Sequence, residues 1–130
     1  MRRVVLDALA FLAWFGPNAT AAGQALRKEY EAGALGIVVP RSFTLDVLGA
    51  AARDGWPAEK LAGLAAETDR LGFERRDPAV TEVARWLERG LEPARAGYAA
   101  LAAETGLPLL SADDDLVAGA ASVAQPVSRG

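Results

Sequence analysis

The chain has no cysteine and no histidine. That pair of absences removes zinc sites, thiol nucleophiles, imidazole bases and disulfide frameworks together. Whatever chemistry it carries must run on carboxylates, hydroxyls, arginine and a hard metal ion such as Mg²⁺. It also lacks any apolar run near the ~20 residues a transmembrane helix needs, so the expectation is a soluble, cytoplasmic protein with no membrane role. Positive charge is scarce: the net charge is −3, and lysine occurs only at Lys28 and Lys60. Such a balance excludes a blanket nucleic-acid binder and requires any contact with phosphates to use a local basic face. Repeats, low-complexity tracts and linkers are missing too. With 130 residues, 52% hydrophobic and 24% charged, the composition predicts one globular domain spanning residues 1–130.

The opening "MRRVVLDALAFLAWFGPNATA" poses the first problem. Arg2, Arg3 and the closing "ATA" imitate a secretory signal, but Asp7 interrupts the apolar core that defines one. Burying a carboxylate without partners is costly, so Asp7 needs a reason. Two reasons remain open: Asp7 caps a helix, or it ends a buried strand and points into a site.

Short continuous apolar runs, the pattern of buried parallel strands, lie at 3–7 ("RVVLD"), 36–40 ("GIVVP") and within 106–115 ("GLPLLSADDD"). Weaker ones lie at 121–127 and 71–75. Helical stretches separate them. Residues 18–33 are capped by Asn18 or Thr20 and closed by Gly33. Residues 41–55 place Phe43, Val47 and Ala50 on one face. Residues 57–72 begin with Pro57 and end at Gly72, residues 77–90 take Asp77 as N-cap, and residues 92–106 take Glu92 as N-cap and close at Gly106. This alternation predicts an α/β fold: a central, mostly parallel sheet of four or five strands with helices on both faces.

Ligands of such sheets sit beyond the carboxyl ends of the strands. Asp7 closes the first strand, and Asp113, Asp114 and Asp115 close the late one. If those strands are neighbours, the acids meet at one edge. Asp46, on the helix after "GIVVP", begins from the same edge. Like charges gathered there repel unless a cation sits among them, and a divalent metal suits. The plainer alternative makes "SADDD" an N-cap and turn cluster and Asp46 a solvated helix acid.

Three segments then resemble the PIN-domain nucleases, including the VapC-like toxin ribonucleases of toxin–antitoxin pairs. "VVLDALAFLAWF" resembles the family's opening strand, first acid and following helix; "VVPRSFTLDVL" its proline with an acid six residues later; "YAALAAETGLPLLSADDDL" its helix, glycine, strand and S-x-D. The resemblance implies a PIN-like α/β/α sandwich and a metal-dependent endoribonuclease that hydrolyses RNA phosphodiesters with carboxylate-bound Mg²⁺ or Mn²⁺. Asp7, Asp46 and Asp113 match the metal-holding acids, with Asp46 standing where the family usually has Glu. Where the family usually has a further Asp, before "YAALA", this chain has Arg95. Glu92, one turn earlier, or Asp115 then supplies the missing carboxylate, or the Arg95 guanidinium pairs with Asp7 or Asp113 in the metal's place. Alternatively Arg95 faces solvent. The resemblance further implies RNA as partner, a cognate antitoxin protein and a homodimer. Arg41, Arg75 and Arg76 are candidates for phosphate contact, the alternative being a solvated arginine face. Arg95 favours a second function: a catalytically impaired PIN-like domain acting as an RNA- or protein-binding module. An aspartyl-phosphate enzyme ranks below both, since "LDALA" lacks a D-x-D pair.

Overall fold

The structure is a computed structural model and describes residues 1–127. Five strands, β1 (Arg2–Leu6), β2 (Leu35–Val39), β3 (Glu74–Arg75), β4 (Leu109–Ser111) and β5 (Ala124–Pro126), form one sheet in the order β3-β2-β1-β4-β5. Every pair is parallel; Val4 lies beside Ile37, and Leu6 beside Leu110. Strand β1 is central, and its Val4, Val5 and Leu6 are fully buried, as a strand covered on both faces requires.

Helices α1 (Ala8–Leu12), α2 (Ala21–Glu31), α3 (Phe43–Arg53) and α4 (Ala58–Leu71) lie in the connections that run outward from β1 to β3. The chain then returns across β1, through α5 (Val80–Glu88) and α6 (Pro93–Thr105) to β4, and through α7 (Asp114–Gly119) to β5. Right-handed crossovers put connections running in opposite directions on opposite faces. The result is an α/β/α sandwich, as the alternation predicts. On one face an aromatic cluster of Phe11, Trp14, Tyr30, Phe43 and Phe73 fills the space. On the other, buried Ala96, Ala99, Ala100 and Ala102 give α6 a narrow face for close packing. Among the described residues no helix is long and apolar enough to cross a membrane.

Local details depart from the sequence reading where a tertiary partner outbids a neighbour. Thr20 rather than Asn18 caps α2, its Oγ1 accepting the Gly23 N–H at 3.0 Å. Asn18 instead ends a 3₁₀ turn and donates to Asp54 at 2.7 Å. Asp77 is not the cap of α5, which starts after Ala79; its carboxylate accepts the distant Arg41 N–H at 2.9 Å. Glu92 occupies the N-cap position of α6 without making a cap bond. Strand β4 stops at Ser111, because Asp113 is already the cap of α7. Gly72 and Gly106 end α4 and α6 at φ 64° and 69°, a left-handed turn that favours glycine and aims the chain back at the sheet.

Candidate functional site

Asp7 answers both halves of its question. It sits where β1 leaves the carboxyl edge of the sheet, and its Oδ1 caps α1 by accepting the Ala10 N–H at 2.8 Å. The same oxygen accepts the Ala112 N–H at 3.4 Å, and Oδ2 accepts a short bond from the Ser111 hydroxyl. Only 4% of Asp7 is exposed. Burial therefore pushes its carboxyl up to about 6 from 3.8, against the pull of the Ser111, Ala10 and Ala112 bonds, and the charge of Asp113 adds to the rise.

Pairing of β1 with β4 brings Asp113 to the same edge. Its N–H donates to Ser111 Oγ at 2.9 Å, so one serine touches both acids. Asp113 Oδ1 caps α7 by accepting the N–H groups of Asp115 and Leu116 at 3.1 and 3.4 Å. Its Oδ2 accepts from Arg95 Nε at 2.7 Å. Asp46, in the first turn of α3, enters from the other side. Its Oδ2 accepts the Ser42 hydroxyl and the Tyr98 hydroxyl, each at 2.9 Å. Tyr98 is buried on α6, and burial followed by the charge of Asp46 holds its hydroxyl strongly protonated, so it acts as a fixed donor.

These groups line a cleft of about 410 Å³ whose charged walls are Asp7, Asp46, Arg53, Asp54, Arg95 and Asp113. Three of the acids expected at a site thus share one cavity. Glu92 and Asp115 do not line it; they stand outside, exposed, as partners of Arg95 at 3.3 and 3.4 Å. Nor do Arg41, Arg75 and Arg76 line it. The Arg75 guanidinium donates to Thr44 Oγ1 at 2.8 Å and to the Arg41 carbonyl at 3.5 Å. Arg95 does not face open solvent; it is aimed at Asp113.

Sequence reasoning missed Tyr98, Ser111, Arg53 and Asp54. Spacing held a clue to two of them: Tyr98 lies three residues after Arg95, and Arg53 seven after Asp46, on shared helix faces. Ser111 was visible only as part of S-x-D, and nothing local marks Asp54.

Mg²⁺ and Mn²⁺ need several oxygen ligands with carboxylates among them. Among the described residues no three acidic side chains stand close enough to hold an ion. Both oxygens of Asp7 and of Asp113 already accept hydrogen bonds, and Arg95 brings the positive charge. As arranged here, Arg95 supplies at Asp113 the positive charge that an ion would otherwise bring to these acids.

No protein-family model matches the chain, and no curated protein does. Among solved structures, the chain is similar to the crystal structure of PAE2754 from Pyrobaculum aerophilum, with a TM-score of 0.69 and 25% identity over 98% of this chain and 93% of that one. The likeness spans the entire sandwich and supports its topology.

Proposed function

We propose that this chain is a PIN-like domain whose cleft lies where that family carries its endoribonuclease site, and that it works as a catalytically impaired member which binds a partner there. One observation carries the reading. Asp7, Asp46 and Asp113, from three separate segments, line one cleft with Arg95, and Arg95 is bound to Asp113. Of the two classes of partner, the charge of the cleft favours protein over RNA. Asp7, Asp46, Asp54 and Asp113 outnumber Arg53 and Arg95, so phosphates are repelled and a basic segment is attracted. Leu9 and Leu45 line the same cleft and are exposed, which offers such a segment apolar contact. A cognate antitoxin is a partner of this kind. The reading carries over from the resemblance a cytoplasmic homodimer.

The convergence of three acids also favours a second reading, a metal-dependent endoribonuclease that hydrolyses RNA phosphodiesters with Mg²⁺ or Mn²⁺. It requires Arg95 to leave Asp113. A single set of assays separates the two. Wild type, Asp7→Asn and Asp46→Asn are titrated with a labelled arginine-rich peptide, and incubated with labelled single-stranded RNA across a Mn²⁺ series. The expected result is salt-sensitive peptide binding that weakens in Asp46→Asn, with RNA left intact. Mn²⁺-dependent RNA cleavage that disappears in Asp7→Asn would overturn the binding-module reading and establish the nuclease.

A further inference from the structure

We propose that Arg95 is a resident counter-cation, doing for the carboxylates at this edge of the sheet the charge-balancing that a divalent ion would otherwise do, so that the fold draws no stability from metal. The inference rests on the reading above only in taking the cleft as the site.

Each nitrogen of one guanidinium holds a different carboxylate. Nε meets Asp113 at 2.7 Å, Nη1 meets Glu92 at 3.3 Å, and Nη2 meets Asp115 at 3.4 Å. The three acids come from the start of α6 (Glu92), from the β4–α7 turn (Asp113) and from the first turn of α7 (Asp115), so the side chain ties α6 to α7. Its weight falls on Asp113. That side chain is 17% exposed and Arg95 is 29% exposed, whereas Glu92 and Asp115 are 76% and 82% exposed and largely screened by water. Beyond Asp113, through Ser111, lies buried Asp7. Without Arg95, two neighbouring carboxylates face each other with no positive charge bound to either. Arginine suits this role because its charge is permanent and its planar fork reaches several oxygens at once. No chelator can remove it.

Metal dependence should therefore be latent and uncovered by substitution. Thermal unfolding is followed in chelator and in millimolar Mg²⁺ or Mn²⁺ for wild type, Arg95→Ala, Arg95→Asp and Arg95→Lys. Wild type should melt at one temperature in all three buffers. Arg95→Ala should melt several degrees lower in chelator and regain part of the loss in Mn²⁺. Arg95→Asp adds a carboxylate to the cluster, so it should fall further and recover more. Arg95→Lys keeps the charge and should stay insensitive to metal. If Arg95→Asp does not fold in chelator, refolding in Mn²⁺ is the readout, and recovery of the native circular dichroism counts for the proposal. A wild type stabilised by Mn²⁺, or Arg95→Ala and Arg95→Asp that fold yet ignore metal, would overturn it. These melts contain neither RNA nor peptide. A wild type that binds neither sinks the functional reading and leaves this inference standing.

Discussion

Asp7 concentrates most of what is unusual in this molecule at a single residue. It is a cap, a strand end and a cleft wall, and its three roles pull its ionisation in opposite directions. Desolvation wins over the Ser111, Ala10 and Ala112 bonds, and the carboxyl rises to about 6. A folded-state pKa above the unfolded one means that the native state holds more protons between about 4 and 6. Stability from this group is thus fully present below about 4 and is lost as pH climbs to 6. Two pH units correspond to roughly 3 kcal/mol. Asparagine is isosteric, caps helices well and carries no charge to desolvate. Asp7→Asn should therefore flatten the stability curve between pH 4 and 6 relative to wild type, and equal or exceed wild-type stability at pH 7. Urea titrations of both proteins at pH 4, 5, 6 and 7 would read the difference.

At the scale of elements, the short α1 carries the chain from the sheet edge into the aromatic core, and α2 must cross close behind it. Gly23 makes that approach possible. A Cβ there would stand 2.6 Å from the carbonyl carbon of Ala13 and 2.8 Å from its Cβ, and these atoms belong to a buried turn that cannot swing aside. Helix propensity alone favours alanine over glycine by about 1 kcal/mol. Overpacking against backbone should reverse the sign, so Gly23→Ala is expected to lose about 1–3 kcal/mol by chemical denaturation. Thr20 starts the same helix three residues earlier, accepting the Gly23 N–H. Thr20→Ala should cost about 1 kcal/mol, the usual worth of such a cap. Because both act on α2, the double variant measures whether cap and close approach are coupled.

Across the whole molecule, one ring organises one of the two layers. Phe11 lies 5.1 Å from Trp14, 5.0 Å from Phe15, 5.3 Å from Phe43 and 5.7 Å from Phe73, measured between ring centres. It thereby joins α1 to α3 and to the segment entering the edge strand β3. Phe11→Ala should cost about 3–5 kcal/mol, a large share of the stability of a domain this size. Its effect should be global: the denaturation midpoint falls, and amide protection drops in β1 and β2 together rather than in α1 alone. Partner binding at the cleft, measured well below the midpoint, should change far less than in Asp46→Asn.

The sequence alone determined what local chemistry can determine. The missing histidine and cysteine limited the site to carboxylates and arginine, and the apolar runs at 3–7, 36–40 and 106–115 marked the buried strands. Glycines 72 and 106 marked helix ends, since these depend on residues within a turn of one another. The rule that parallel strands present their carboxyl ends to ligands pointed to Asp7, Asp46 and the cluster of Asp113, Asp114 and Asp115, and the PIN-domain resemblance singled out Asp113. Tertiary structure decided the rest. Asp77 left its cap for an N–H 36 residues away, and Asn18 left its own for Asp54. Tyr98 became a cleft donor only because α6 lies against Asp46, 52 residues earlier. The direction of Arg95 was open in sequence, with solvent, Asp7 and Asp113 all within reach of a flexible side chain. Sheet order settled it, because pairing β4 beside β1 put Asp113 next to α6 and gave the guanidinium a partly buried carboxylate to bind.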